Sequence, residues 1–234
     1  MRCAIYFVPP PDDPLTAAAA EWLRRDAYTG AGVASQIEGL TERDHAFLTA
    51  LPRRYGFHAT LKSPFRLADG KSVHELERQL NSFCGRIAPL SLPVRIALVD
   101  AAFAIVPLAR DPELDMLAAR VVTEFDAFRS QLTEIDLARR DVSRLTGRQL
   151  ANLMNWGAPN VFDQFRFHMT LTGPIDHLER DHVETVLTRH FGNLASTPLD
   201  IAQLILAVEP ELHAPFIVHS RHKFALRAET ARRA

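Results

Sequence analysis

Two segments of this chain, YGFHATLKSPF at residues 55–65 and FRFHMTLTGPI at residues 165–175, share the pattern that decides the predicted fold. Because the agreement includes histidine, an uncommon residue type, it indicates an internal repeat and not a coincidence of composition. Aligned without gaps, the segments agree at five of eleven positions, namely Phe57/Phe167, His58/His168, Thr60/Thr170, Leu61/Leu171 and Pro64/Pro174.

Each segment has the alternation of a β-strand, in which successive side chains point to opposite faces. One face is apolar and suits a core; it holds Tyr55, Phe57, Ala59 and Leu61 in the first segment and Phe165, Phe167, Met169 and Leu171 in the second. The other face is polar and suits an anion; it holds Arg54, His58, Thr60 and Lys62 in the first and Arg166, His168 and Thr170 in the second.

The repeated polar face predicts phosphodiester chemistry. A threonine hydroxyl can donate to a phosphoryl oxygen, and a histidine two residues away can exchange a proton near neutral pH. If the two strands lie side by side, one histidine can take a proton from the attacking oxygen while the other protonates the departing oxygen. We therefore assign catalytic roles to His58 and His168 and phosphate-binding roles to Thr60 and Thr170. Packing alone would explain a repeated apolar face but not a repeated polar one.

Other residues have two interpretations each. Arg54, Lys62 and Arg166 either steady a phosphate, arginine through a bidentate contact, or are solvated charges at strand ends. Tyr6 and Trp156 either stack on a base or sugar or pack in the core. No Cys/His cluster, HExxH spacing or glycine-rich phosphate loop is present, so no metal and no cofactor is expected.

The remaining sequence predicts helices between the strands. CAIYFV reads as a first strand, Thr41 opens a helix that Leu51-Pro52 breaks near Ala50, and residues 72–87 form a helix with a capping box. VRIALVD and AFAIVPL form a hairpin, a helix starts at Asp111-Pro112, and helical structure continues with interruptions to Trp156. A helix over 178–190 and two strands, DIAQLILAV and FIVHSRHKFAL, follow the second segment. A helix and then two strands thus follow both segments.

Bulk composition indicates an ordinary soluble globular protein. The chain has 234 residues, is 47% hydrophobic and 24% charged, and carries a formal net charge of −1. We expect no binding of long nucleic acid, since that requires many cations. Two cysteines, no signal peptide and no apolar membrane-length run lead us to expect a cytoplasmic monomer with no membrane partner.

The paired His-x-Thr-Leu segments resemble those of the 2H phosphoesterase superfamily, and the resemblance spans nearly the whole chain. The first strand with RRYGFHATLK and NWGAPNVFDQFRFHMTLTG is similar to an uncharacterised branch found with phosphonate-utilisation operons. The resemblance implies an α+β fold of two lobes related by a pseudo-twofold axis, each an antiparallel sheet with outer helices, around a central cleft. One domain would span 1–234, with the lobes divided within 110–160 and the termini exchanged between them.

The resulting hypothesis is a metal-independent enzyme that opens a cyclic phosphate. Its partner would be a small nucleoside or oligonucleotide 2′,3′-cyclic phosphate, or a ribose cyclic phosphate from phosphonate breakdown. Two alternatives stay open at this point: a module that binds a nucleotide in the same cleft without turnover, and an enzyme that processes or ligates RNA ends.

Overall fold

The computed structural model describes residues 1–138 and 141–225, and its centre is a seven-stranded antiparallel sheet. The strand order is β4-β5-β6-β2-β1-β8-β9, and β3 and β7 form a separate two-stranded sheet. The strands are β1 (Arg2–Phe7), β2 (Ala59–Phe65), β3 (Leu90–Leu92), β4 (Val94–Val99), β5 (Ala102–Pro107), β6 (Met169–Thr170), β7 (Leu199–Ile201), β8 (Gln203–Glu209) and β9 (Ile217–Lys223).

Seven α-helices accompany the sheets within the described residues. They are α1 (Pro14–Leu23), α2 (Glu42–Tyr55), α3 (Val73–Cys84), α4 (Pro112–Glu124), α5 (Glu134–Ala138), α6 (Gly147–Trp156) and α7 (Arg180–Phe191). The predicted mixture of helices with antiparallel sheet is confirmed. None of these helices is long and apolar enough to span a bilayer.

The order of elements after the two motif segments is the same. A helix, a three-residue strand and a hairpin follow β2 as α3-β3-β4-β5, and the same series follows β6 as α7-β7-β8-β9. The sequence had indicated only two strands after each helix: it missed β3 and ran β7 and β8 together as the single strand DIAQLILAV. β3 and β7 pair with each other. The pseudo-twofold duplication itself stays a prediction.

The main core lies on one face of the large sheet. Large side chains from the helices, such as Trp22, Leu80 and Phe83, pack there against strand residues such as Ile5 and Met169, and all five are fully buried. Burial of each such side chain contributes about 1.5–3 kcal/mol. The motif residues Phe57, Leu61, Phe167 and Leu171 belong to this core, as the apolar alternation predicted.

Helix α2 corrects one sequence-based expectation, because it continues through Pro52 to Tyr55 and does not end near Ala50. Proline has no N–H, so the carbonyl four residues earlier loses its helical donor. That carbonyl, of Leu48, instead accepts a 2.6 Å hydrogen bond from the N–H of Gly173, which lies within the second motif segment. The interruption in α2 therefore becomes a contact between α2 and the second motif.

The two motif segments are less regular than predicted. Arg54 and Tyr55 end α2 and do not belong to the strand, which begins at Ala59. In the second segment only Met169 and Thr170 form regular strand, although burial still alternates from Phe165 to Leu171. The final strand ends at Lys223; its predicted end at Leu226 lies outside the described residues, as do positions 139 and 140 of the predicted helical stretch.

Candidate active site

The two motifs meet at the centre of the sheet, where β2 and β6 are antiparallel neighbours. Ala59 pairs with Met169, and both side chains are buried in the main core. Side chains one position away point to the other face, so His58 and Thr60 lie beside His168 and Thr170 on the face opposite the core. All four are half-buried. In this register each histidine is opposite the threonine of the other motif.

Both histidines are held in the same way. His58 Nδ1 lies 2.9 Å from the carbonyl oxygen of Gly56, and His168 Nδ1 lies 2.8 Å from that of Arg166. A carbonyl can only accept, so each Nδ1 carries the proton that it donates. The contact fixes the tautomer and leaves Nε2 of a neutral ring as an acceptor. In His58 that nitrogen is 3.2 Å from the hydroxyl of Thr60, which can donate to it.

The surroundings of His58 favour its neutral form. Burial lowers the pKa of His58 to about 4; the bond to Gly56 opposes the shift, and the positive charges of His168 and Arg25 add to it. A neutral imidazole whose unprotonated Nε2 can accept a proton at neutral pH is the form that a general base requires.

Three aromatic rings form a wall beside His58. Tyr6, only 1% exposed, lies with its ring centroid 4.0 Å from that of His58. Tyr55 lies 6.0 Å from His58 and stacks on Phe216 at 5.6 Å. We call Tyr6, Tyr55 and Phe216 the aromatic wall. Tyr6 therefore contacts the imidazole but is too buried to stack on a ligand.

Arg25 positions this wall, and sequence reasoning missed it. Its guanidinium is buried and donates to the carbonyls of Arg53 and Arg54, at 3.0 and 3.1 Å, and to that of Phe216. Arg25 thereby ties the C-terminal end of α2 to the loop before β9, and it lies close to Gly56, whose carbonyl holds His58. Its contacts join distant parts of the chain, so no local sequence pattern predicts that Arg25 belongs to the site.

The structure separates the remaining predicted residues. Arg166 is exposed and lines a cavity together with His168. Lys62 does not lie on the predicted polar face. A register shift between Ile5 and Tyr6 of β1 places it opposite Ile5. Its side chain is 3% exposed, and Nζ bonds to the carbonyl of Val122 and to Asp126 at 3.0 and 3.3 Å. Lys62 is therefore a buried structural cation and does not reach the histidines.

Arg54 and Trp156 contact other residues and not the two histidines in this structure. Arg54 forms a 2.8 Å ion pair with Glu209, and its guanidinium carbon lies 5.6 Å from the Tyr55 ring centroid. Trp156 packs edge-on against Phe162, with ring centroids 5.1 Å apart. Trp156 thus has the packing role that was one of its two interpretations.

A cavity of about 480 Å³ opens beside His168. Its lining includes Val106 and Leu108 with Arg166 and His168, so apolar surface and a cation border the second imidazole. That volume lies within the range of about 300–1,000 Å³ of small-molecule sites. Within the described ranges, no three His, Cys, Asp or Glu side chains converge as a metal site requires.

Comparison with known proteins gives a family match, two sequence relatives and a structural alignment. A model of the family "Protein of unknown function (DUF1045)" matches residues 60–217. Two similar proteins are both called ribose 1,5-bisphosphate phosphokinase PhnN. The one from Janthinobacterium sp. (strain Marseille) is 37% identical over 98% of this chain and 52% of its own length. The one from Laribacter hongkongensis is 32% identical over 92% of this chain and 50% of its own length. The chain thus spans about half the length of these relatives. A structure described as "Crystal structure of phosphoesterase" aligns over 96% of this chain and 98% of its own, at 12% identity and a TM-score of 0.42.

Proposed function

The chain belongs to the family of proteins of unknown function DUF1045, and from its site we propose that it is a metal-independent phosphodiesterase that opens a cyclic phosphate. One observation supports the proposal: two histidines lie at the start of neighbouring strands on the same face of the sheet, and each has Nδ1 bound to the carbonyl two residues earlier, which leaves Nε2 for proton transfer. Packing does not require this arrangement, whereas acid–base catalysis does.

The proposed reaction is an in-line hydrolysis. A water molecule attacks phosphorus, and Nε2 of His58 takes its proton. The bond from phosphorus to one ring oxygen breaks, and Nε2–H of His168 gives that oxygen a proton. The products are a phosphomonoester and a free hydroxyl, and solvent returns both histidines to their initial states. Thr60 and Thr170 donate to the non-bridging oxygens, whose charge grows in the transition state.

The low pKa of His58 is the reason to make it the base. Its neutral form is present at any pH above about 4, whereas the acid must start protonated. The cavity beside His168 supports the complementary assignment, because the leaving oxygen then lies on the side where there is room.

The names of the relatives narrow the substrate. Two homologues are named for a kinase of ribose 1,5-bisphosphate, a step on a ribose phosphate. A ribose cyclic phosphate, as could arise in phosphonate breakdown, is therefore our first candidate, and a nucleoside 2′,3′-cyclic phosphate is the second.

Turnover of a substrate panel tests the proposal. The purified protein is incubated with chelator and with ribose 1,2-cyclic phosphate or each nucleoside 2′,3′-cyclic phosphate, and phosphorus NMR identifies the bond that is cut. We expect at least one to be opened. Tight binding of a nucleotide without turnover would support the alternative of a binding module. Joining of RNA ends would support the alternative of a ligating enzyme.

The pH dependence of kcat/KM is a separate prediction. Because His58 must be neutral to accept a proton, activity should persist to unusually low pH and fall as pH drops through about 4. kcat/KM reports ionisation in the free enzyme. Initial rates between about pH 3 and 8, with circular dichroism to verify folding, give the acid limb. An acid limb at the ordinary imidazole value of about 6.5 would contradict the base assignment.

The threonines give a further prediction. Replacing Thr60 or Thr170 with valine keeps the shape but removes a donor to a charged group, a contact of about 1.5–3 kcal/mol, so kcat/KM should fall roughly 10- to 100-fold. Serine at either position should restore most of the activity. Thr123→Val is the matched control, because that hydroxyl bonds only to carbonyls of its own helix. Unchanged kcat/KM in both valine variants would show that the threonines do not bind the reacting phosphate.

A further inference from the structure

A buried carboxylate holds two arginines together at the edge of the candidate site. Glu209, the last residue of β8, has a fully buried side chain. Its Oε1 accepts from Nη2 of Arg2 and from Nη2 of Arg54, both at 2.8 Å, and its Oε2 accepts from Nε of Arg2. Arg2 lies opposite Glu209 in the pairing of β1 with β8, and Arg54 comes from the last turn of α2.

The group keeps one positive charge that this carboxylate does not balance. Arginine stays protonated under ordinary conditions. Burial raises the pKa of Glu209, but the hydrogen bonds from Arg2 and Arg54 outweigh it and lower that pKa overall, so the carboxylate is ionised. The Arg2 and Arg54 side chains remain 29% and 33% exposed above it. Each guanidinium has five N–H donors, and Glu209 takes two from Arg2 and one from Arg54.

The two arginines border the aromatic wall. The Arg54 guanidinium lies 5.6 Å from the Tyr55 ring, which is itself 6.0 Å from the His58 ring. One aromatic ring thus separates cation from imidazole. The Arg2 guanidinium lies 5.6 Å from the Phe216 ring, on which Tyr55 stacks. Both cations therefore lie next to rings of the aromatic wall, and Tyr6 and Tyr55 of the same wall lie next to His58.

We propose that Arg2 and Arg54 form a second anion subsite, which binds a phosphomonoester carried by the same substrate whose cyclic phosphate lies at His58 and His168. The inference rests on the proposed function and adds a substrate class to it: a cyclic phosphate with a second phosphate. Two guanidiniums fixed side by side suit a doubly charged phosphate, which arginine recognises through paired N–H donors. Glu209 holds both in place before the ligand arrives, which lowers the entropic cost of binding.

A purely structural role for the three residues predicts something different. A buried ion group that only fastens β1, β8 and α2 would affect every substrate alike. It also provides little net stability compared with apolar packing, and it does not require a third of each arginine to stay exposed. Substrate dependence therefore distinguishes the two roles.

The experiment compares pairs of substrates that differ by one phosphate. Ribose 1,2-cyclic phosphate and adenosine 2′,3′-cyclic phosphate are each assayed with a free 5-hydroxyl and with a 5-phosphate. We expect wild-type kcat/KM to favour the phosphorylated member of at least one pair by about tenfold or more, the effect of one charged hydrogen bond. Arg2→Gln and Arg54→Gln should reduce that ratio to about one by raising KM for the phosphorylated member, with kcat changed little.

Two further variants keep the test decisive. Arg54→Lys retains the charge and the pair with Glu209, so it should keep part of the preference even if glutamine at this position impairs folding. Arg189→Gln, which removes an exposed partner of Glu38, is the matched control and should leave the ratio unchanged. Equal loss of activity on both members of each pair, or no preference in the wild-type protein, would overturn the subsite.

Failure of the proposed function is distinguishable from failure of the subsite. If no cyclic phosphate is opened, calorimetry with ribose 5-phosphate still tests the arginines. Binding that is lost in Arg54→Gln but kept in His58→Ala supports the subsite without the enzyme. Binding that neither variant weakens, or that the wild-type protein does not show, overturns it.

Discussion

Replacement of His58 or His168 by alanine should lower kcat by about 10²–10⁴, the usual contribution of a general acid or base. The double variant should lose less than the product of the single losses, because a base without its matching acid has little left to contribute. Rates of all three variants on the substrate found in the panel provide the measurement.

A matched histidine controls for surface effects. His177 is exposed and, among the described residues, pairs with its neighbour Asp176 alone, so His177→Ala should keep wild-type kcat. If the substrate is turned over and both motif variants retain wild-type kcat, the paired-histidine mechanism is wrong. If the losses multiply fully, the two side chains act independently and not in one proton exchange.

The second large effect is expected at Gly56, whose φ of 74° and ψ of 176° lie in a region that only glycine occupies readily. A methyl group there would meet the Cα of Ala27 and a guanidinium nitrogen of Arg25, each at 3.4 Å. Gly56→Ala should therefore lower stability by about 1–3 kcal/mol. It should also lower kcat, because the carbonyl that orients His58 belongs to this residue.

Gly70→Ala separates backbone strain from the effect on the site. Gly70 has a similar φ of 75°, but an added methyl would meet nothing within 4 Å, and the residue follows β2 at the far end from His58. We expect it to lose stability without losing kcat under folding conditions. Chemical denaturation and steady-state rates measure the two effects. A Gly56→Ala protein with full kcat would show that the carbonyl contact does not position the imidazole.

The alternation of the sequence correctly predicted that Phe57, Leu61, Phe167 and Leu171 lie in the core, but it wrongly placed Tyr55 there, because Tyr55 ends α2 and is 36% exposed. The correct predictions have a simple cause: side chains alternate in any extended chain. They do so in the second segment even though only Met169 and Thr170 form regular strand there. Alternation failed at Lys62, where a register shift against β1 turns the side chain toward Asp126. Such a shift depends on the partner strand, so local sequence does not contain it.

Other features depended on contacts between distant segments. Pro52 would ordinarily end a helix, and α2 continues because the carbonyl freed at Leu48 is satisfied by Gly173. Arg25 contributes to the site by donating to the backbone carbonyl of Phe216, and the Phe216 ring contributes by stacking on Tyr55. Both contacts join segments far apart in the chain, so no short sequence pattern predicts them. The pKa of His58 likewise follows from burial, which the sequence alone did not predict.

The position of β1 between β2 and β8 has a consequence for synthesis on the ribosome. Arg2 of β1 pairs with Glu209 of β8, so one edge of β1 stays unpaired until about 207 further residues have been made. At about 5–20 residues per second the delay is roughly 10–40 s. Throughout that time the apolar strand CAIYF has an open edge, a template for pairing with a neighbouring nascent chain. The strand order that completes the sheet thus leaves this apolar edge unpaired until β8 has been made.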